Sequence, residues 1–335
     1  MTEVIPGIYQ MKMPLPNSPL GHLNAYLLEG NDGWVLVDTG WDFPGAFSSA
    51  KKQLKDKGID FDAINQIVIT HAHVDHYGLI GSIKEASGAK TAFHGKEAAF
   101  LSEMAASEVE FFVLMERQLI ENGMSPREFP GLDIVLSFGG NLIYPLDPPD
   151  KILQDGDIIS TGRFNFEVIW TPGHAEGHIC LYESDKRILL SGDHILPTIT
   201  PNINVYPYAE NNPLRSYLAS LKKVEKLPVD LVLPAHEHVF DGLRQRVGEI
   251  ASHHEERTGH IVRALWREAK TAYQIALELP WTPDSITGEE TSFGDLDVFG
   301  KVMATGETLA HLQYLLGEGK VELESRDGMA LYRGV

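Results

Sequence analysis

Short apolar runs broken by polar turns fill most of this chain, and longer amphipathic stretches take over near its end. Leu23 to Glu29 and Trp34 to Asp38 read as strands joined by Gly30-Asn31-Asp32-Gly33, a hairpin signal. Pro44 to Lys57 has helical spacing and stops at Gly58. Ile64 to Thr70 is a buried strand, Gly78 to Ser87 a helix and Lys90 to His94 another short strand. Lys151 to Val168 reads as strand, turn at Asp155-Gly156-Asp157, then strand. Ile179 to Tyr182 and Arg187 to Leu190 make a hairpin about Ser184-Asp185-Lys186. Pro213 to Lys226 reads as a helix with Asn211 or Asn212 as N-cap, and Leu231 to Leu233 is the next strand.

Two segments break this rhythm. From about residue 95 to 149 a helical pattern carries Phe100, Met104, Phe111, Phe112 and Met115. A Pro/Gly-rich stretch with Met124, Phe129, Phe138 and Tyr144 follows. Such a segment reads either as a lid that selects an apolar acyl or alkyl group, or as a stripe packed on the core or a partner subunit. The spacing favours packing. From about Gly242, three helices are predicted: Leu243 to Ala269, Thr271 to Leu279 and Thr308 to Leu316. A hairpin of Gly319 to Glu324 with Met329 to Arg333 closes the chain. Three helices and a β-wing look winged-helix-like. The expected division is therefore 1–241 and 242–335.

Charge narrows what that tail could do. A winged helix suggests nucleic acid, but Arg244 to Val335 holds 10 Lys/Arg against 15 Asp/Glu, and the whole chain is at −19. That balance opposes nonspecific binding to nucleic acid or an anionic membrane. A packing or homodimerisation module is the favoured reading of the tail. One cysteine, Cys180, rules out an intramolecular disulfide and suits a reducing cytoplasm. Met1 to Met13 has no basic, apolar leader pattern, so neither a signal peptide nor a membrane helix is expected.

The chemistry concentrates in Thr70-His71-Ala72-His73-Val74-Asp75-His76, at the end of a predicted strand. His71 and His73 project the same way if the backbone stays extended, and Asp75 and His76 fall on the turn into a helix. This suits two adjacent metals better than one, because imidazole nitrogen and carboxylate oxygen complete such sites. Three more candidates end apolar runs: His174 in Thr171-Pro172-Gly173-His174, Asp193 in Ser191-Gly192-Asp193, and His236 in Pro234-Ala235-His236. The bland alternative is a set of unrelated surface and core histidines, which such dense ligand spacing disfavours. A structural zinc site would be richer in thiolate.

In this order the set resembles the metallo-β-lactamase superfamily, whose signature is HxHxDH, then His, Asp and His. Trp34-Val35-Leu36-Val37-Asp38-Thr39-Gly40 fits that family's strand and turn, and the resemblance spans roughly residues 1 to 240. It implies an α+β fold, a four-layer αβ/βα sandwich with the metals at one edge. It further implies that His71, His73 and His174 hold one metal, that Asp75, His76 and His236 hold the second, and that Asp193 bridges them. His73 stands where flavodiiron members usually carry Glu, which disfavours a redox di-iron centre. The 95–149 segment is longer than in simple members.

The expected cofactors are two divalent ions, zinc first, with iron or manganese acceptable to the same ligands. Two such ions about 3.5 Å apart can share one hydroxide that attacks a carbonyl or phosphorus. Asp75 is the candidate catalytic residue, passing a proton to the leaving group, with a pure ligand role equally open. Asp38 is expected to orient a ligand imidazole. His178, His194 and His238 read as supporting or surface residues, and His22 as a residue of the cleft rim. Tyr206 or Tyr208 could polarise a carbonyl, though a buried phenol is the commoner case. Cys180 reads as a small buried hydrophobe. The leading expectation is hydrolysis of a small ester, thioester or lactone. An endoribonuclease or phosphodiesterase and a mononuclear-iron persulfide dioxygenase are the alternatives. β-Lactam hydrolysis is disfavoured for a cytoplasmic chain.

Overall fold

The short apolar runs build two sheets, and each buries one face against the other. The structure, a computed structural model, describes residues 1–16, 18, 20–106, 108–128, 148–207, 212–281 and 292–335. The first sheet has seven strands in chain order: β1 (Thr2–Ile5), β2 (Ile8–Pro14), β3 (His22–Glu29), β4 (Trp34–Val37), β5 (Ile64–Val68), β6 (Lys90–His94) and β7 (Lys151–Leu153). It is antiparallel from β1 to β4 and parallel from β4 to β7. The second sheet runs in the order β12 (Leu231–Pro234), β11 (Ile188–Gly192), β10 (Ile179–Glu183), β9 (Asn165–Trp170), β8 (Ile158–Ser160). Only its β11–β12 pair is parallel.

Tyr26, Val35, Val68, Phe166, Leu181 and Leu233 fill the space between the sheets. Helices α1 (Ala46–Lys55) and α3 (Ile80–Ser87) cover the outer face of the first sheet through Ala50, Leu54, Ile80 and Ile83. Helices α6 (Pro213–Val224) and α7 (Leu243–Ala264) cover the second through Leu214, Tyr217, Val247 and Ile250. The result is the four-layer αβ/βα sandwich. Within each sheet the pairings fix one shared edge. β4 and β5 are parallel and end together, and β9, β11 and β12 end together in the second sheet. Loops leaving strand ends are held by the sheets behind them, which makes that edge the natural ligand site.

Three sequence-based expectations need correction. Lys151 to Val168 holds parts of three strands where two were expected, and the first of them is followed, as expected, by the Asp155-Gly156-Asp157 turn. That turn carries the chain from β7 in the first sheet to β8 in the second, and the hairpin turn lies beyond it, between β8 and β9. The helix expected at Thr308 begins ten residues earlier, as α9 (Val298–Gly317), capped by Asp297 accepting from the Gly300 N–H at 2.7 Å. Gly300, Gly306, Val298 and Val302 lower its local propensity, and packing overrides them. Finally, α7 ends at Ala264 rather than Ala269.

In the tail, α8 (Ala272–Ala276), α9 and the hairpin of β13 (Val321–Arg326) and β14 (Met329–Gly334) enclose a second core. Ile261, Leu265, Ile275, Trp281 and Leu312 belong to it. Since Val247 and Ile250 pack on the sandwich and Ile261 on this second core, α7 serves both. Among the described residues no helix is long and apolar enough to cross a membrane. The Phe/Met stripe lies on α4 (Gly95–Ala106) and α5 (Glu108–Glu121). Met104, Phe111 and Phe112 bury together against Tyr206, while Leu119 and Met124 pack on Val302 of α9. Phe129, Phe138 and Tyr144 of the expected lid lie outside the described residues.

Candidate metal centre

All seven candidate ligands gather at the shared strand edge. His71 and His73 follow β5, and Asp75 and His76 lie on the single turn α2 (Val74–Tyr77). His174 follows β9, Asp193 follows β11 and His236 follows β12. Three overlapping groups have ligand atoms close enough to share an ion: His71/His73/His174, His71/His76/Asp193 and Asp75/His76/His236.

The first group brings three ring nitrogens together. His73 Nδ1 lies 2.9 Å from His71 Nε2 and 3.0 Å from His174 Nε2. In the last group Asp75 Oδ2 lies 3.3 Å from His236 Nε2 and 3.8 Å from His76 Nε2. Asp193 stands between the groups. Its Oδ2 is 3.4 Å from His174 Nε2 and 3.9 Å from His71 Nε2, and its Oδ1 is 3.4 Å from His236 Nε2 and 3.5 Å from His76 Nε2.

Hydrogen bonds behind the ring determine which nitrogen faces inward. Asp38 accepts from the Thr70 N–H at 2.8 Å and from the Thr70 hydroxyl at 2.9 Å. His76 Nδ1 donates to Asp38 Oδ2 at 2.8 Å. The Thr70 hydroxyl has given its only proton to Asp38, so at 3.1 Å it accepts from His71 Nδ1. His174 Nδ1 donates to the Asn202 carbonyl at 2.8 Å, and His236 Nδ1 to the His22 carbonyl at 3.3 Å. Four imidazoles therefore turn Nε2 toward the centre. One proton on His73 Nδ1 can satisfy only one of its two close neighbours. Buried His76 Nε2 and Asp193 Oδ1 face one another with no hydrogen-bond partner among the described residues. Ring nitrogens and carboxylates buried this close together call for positive charge among them, carried by ring protons or by a metal cation. The donor set fits divalent metal.

Electrostatics divides the cluster. Burial, helped by neighbouring imidazoles, holds His71 well below its ordinary value and pushes His73 down to about 3. Burial acts the same way on His76 and His236. There the carboxylates of Asp193 and Asp75 overcome it, holding His76 well above its ordinary value and raising His236 to about 10. The carboxylate half of the centre thus draws positive charge.

One residue that the sequence reading missed ties the loops together. Buried Glu97, on α4, accepts from the Ala72 N–H through one carboxylate oxygen and from the Gly177 N–H through the other, both at 2.6 Å. It joins the His71/His73 loop to the His174 loop. A Cβ on Gly177 would lie 2.7 Å from Glu97 Cγ, so only glycine permits that approach.

The remaining candidates take supporting or separate places. His178 accepts the Asp193 N–H at 3.1 Å through Nε2, with Nδ1 2.8 Å from the Thr171 hydroxyl. His194 is buried and turns its ring toward Tyr217, and His238 is exposed. Tyr206 stands edge-on to His73 at 6.2 Å, and burial pushes its phenol up to about 12. Tyr208 lies outside the described residues. Cys180 is fully buried, and burial raises its thiol to about 12. Beside His174, a pocket has an apolar side of Trp170, Pro172, Ala175, Tyr206 and Pro213, and Lys96, Glu176, Asn204 and Ser216 also line it.

A family profile described as the metallo-beta-lactamase superfamily matches residues 19–236. The chain belongs to that superfamily. It is a metal-dependent hydrolase of the metallo-beta-lactamase superfamily, whose members use divalent metals. It is 25% identical over 280 residues to the probable metallo-hydrolase YqjP of Bacillus subtilis (strain 168), covering 81% of this chain and 84% of that one. The acyl-coenzyme A thioesterase MBLAC2 of Homo sapiens is 27% identical over 248 residues, covering 70% of this chain and 80% of that protein. A metallo-beta-lactamase family protein from Thermus thermophilus has a similar structure, with a TM-score of 0.82 and 28% identity, over 99% of this chain and 100% of that one. The superfamily profile stops at the last candidate ligand, whereas the Thermus likeness runs through the tail.

Proposed function

We propose that this chain hydrolyses the thioester of an apolar acyl group at a dinuclear metal centre, with esters and lactones as secondary substrates. His71, His73 and His174 would hold one ion, Asp75, His76 and His236 the other, and Asp193 both. The observation that carries this reading is the Asp193 carboxylate, one oxygen toward each imidazole group. Zinc is the ion we favour for so imidazole-rich a set. Bound there, divalent ions lower the pKa of water toward neutrality and polarise a carbonyl oxygen.

The protein supplies orientation. Thr70, Asp38, Asn202 and His22 aim the ligand nitrogens, and Glu97 and His178 hold the loops that carry them. Asp75 is the more open carboxylate, its side chain 21% exposed against 10% for Asp193, so it is the better placed to move a proton toward a leaving group. Thioesters need that help least, because a thiol of pKa about 8.5 leaves more readily as its anion than an alcohol does. The pocket beside His174 offers an apolar wall for the acyl group. Likeness to acyl-coenzyme A thioesterases supports the same class. Residues 242–335 would form the second, winged-helix-like unit, with its net negative charge turned from nucleic acid. A lone, buried Cys180 suits a cytoplasmic setting.

The test is thiol release from acyl-coenzyme A thioesters of graded chain length, run beside a phosphodiester, RNA and a persulfide. Chelator-sensitive thioester cleavage that Asp193→Asn abolishes is expected. Phosphodiester or RNA cleavage with thioesters untouched would replace this reading by a nuclease. Oxygen uptake on the persulfide with one iron per chain would replace it by the dioxygenase.

A further inference from the structure

His174 takes its orientation from a segment that rests on the tail of the chain. Its Nδ1 donates to the carbonyl of Asn202, and four residues on, in the same segment, Tyr206 stands against His73. The Asn202 side chain points the other way. Its amide donates to Glu307 Oε2 at 3.0 Å and lies 3.5 Å from the Met303 carbonyl, both on α9. Asn204 lies over the same helix, and its amide lies 3.6 Å from Met303 Sδ. A Cβ on Gly306 would fall 1.9 Å from Asn204 Oδ1, so the segment reaches the helix backbone only because residue 306 is glycine.

Glu307 is itself held. Its side chain is nearly buried, and Arg257 of α7 lies 3.9 Å away. That guanidinium sits over the Trp281 ring at 4.2 Å and donates to the Pro280 carbonyl at 2.9 Å. A continuous set of contacts thus runs from Trp281 through Arg257, Glu307 and Asn202 to His174. The carboxylate-rich half of the centre has different supports, Asp38 for His76 and the His22 carbonyl for His236.

We propose that Glu307 and Gly306 of the C-terminal helix are positioning residues for the His71/His73/His174 half of the metal centre, Glu307 acting through Asn202 and Gly306 by seating Asn204 of the same segment. This rests on the dinuclear reading of the site. It gives the tail a task that its charge allows: it is one wall of the machinery that sets a ligand. Groups that orient a ligand imidazole change metal affinity by about 10–100-fold when lost, and Glu307 acts one residue further out, so the low end is expected.

The experiment uses full-length wild type, Glu307→Ala, Glu307→Gln and Asn202→Ala. Each is stripped of metal and titrated with Zn²⁺ against a chromophoric chelator, with Co²⁺ absorption read in parallel. Wild type should take two ions. Glu307→Ala should weaken one of the two sites about tenfold and leave the other unchanged. Glu307→Gln, which still accepts from the Asn202 amide, should restore it. Asn202→Ala should match Glu307→Ala and reports the same link if that variant folds poorly. Affinities equal to wild type in both alanine variants would overturn the inference, as would equal weakening of both sites in step with lost thermal stability. A wild-type chain that binds no metal would sink the dinuclear reading, and this inference with it.

Discussion

Glu97 shows how one buried carboxylate can hold a site without touching a ligand side chain. Its partners, the Ala72 and Gly177 N–H groups, lie 25 and 80 residues away in sequence. Removing a buried acceptor leaves each donor unsatisfied at about 1–3 kcal/mol. Glu97→Ala should therefore lose about 2 kcal/mol or more of stability and a large part of its bound metal. Glu97→Gln, which keeps one acceptor oxygen, should fall between. Denaturant midpoints with metal content on the same samples decide it, and an alanine variant as stable and as metal-rich as wild type would contradict this role. Residue-level legibility follows from the same contrast. His71, His73, Asp75 and His76 stood out because one strand end and one turn place them together, leaving a local pattern. Glu97 left none, since backbone N–H groups bear no residue type. Asp38 was readable only through its place in the turn before Gly40.

At the scale of elements, α7 and α9 meet in a pair of buried histidines. His254 Nδ1 lies 3.2 Å from His311 Nε2, and His311 Nδ1 donates to the Glu307 carbonyl at 2.9 Å. Burial, with His311, His253 and Arg257, holds His254 well below its ordinary value. Burial likewise brings His311 down to about 3, with Arg257 and His253 adding to it. The folded chain therefore keeps both neutral where the unfolded chain takes up protons, below about pH 6.5. More protons on the unfolded state means stability rises with pH, so this pair costs stability as pH falls from about 6.5 toward the folded values. His311→Leu removes one such group. Its stability between pH 6 and pH 4 should fall less steeply than wild type, by up to about 1.4 kcal/mol per pH unit. Identical slopes would contradict the assignment. The sequence showed the end of α9 but hid its first ten residues, because Gly306 is chosen for contact with Asn204 and not for helix propensity. The crossover at Asp155-Gly156-Asp157 was hidden for a related reason: a turn signal marks a reversal of the chain and is silent on which sheet receives the next strand.

For the whole molecule, the sandwich brings loops from two sheets to one edge, and the tail stands behind one of those loops. The layers were legible through the ordered ligands. The joint between sandwich and tail was not, because α7 reads as one amphipathic helix while its two halves serve two cores. Buried, converging ring nitrogens and carboxylates make metal and fold one problem at this edge, and ions bound only to the folded chain add to its stability. The direct measurement is metal per chain, by elemental analysis of full-length protein purified without added metal, before and after extensive chelation. Close to two divalent ions per chain, lost to chelator together with a fall in melting temperature, is the predicted result. A chain that carries no metal, takes none up and melts at the same temperature with or without chelator would contradict the account.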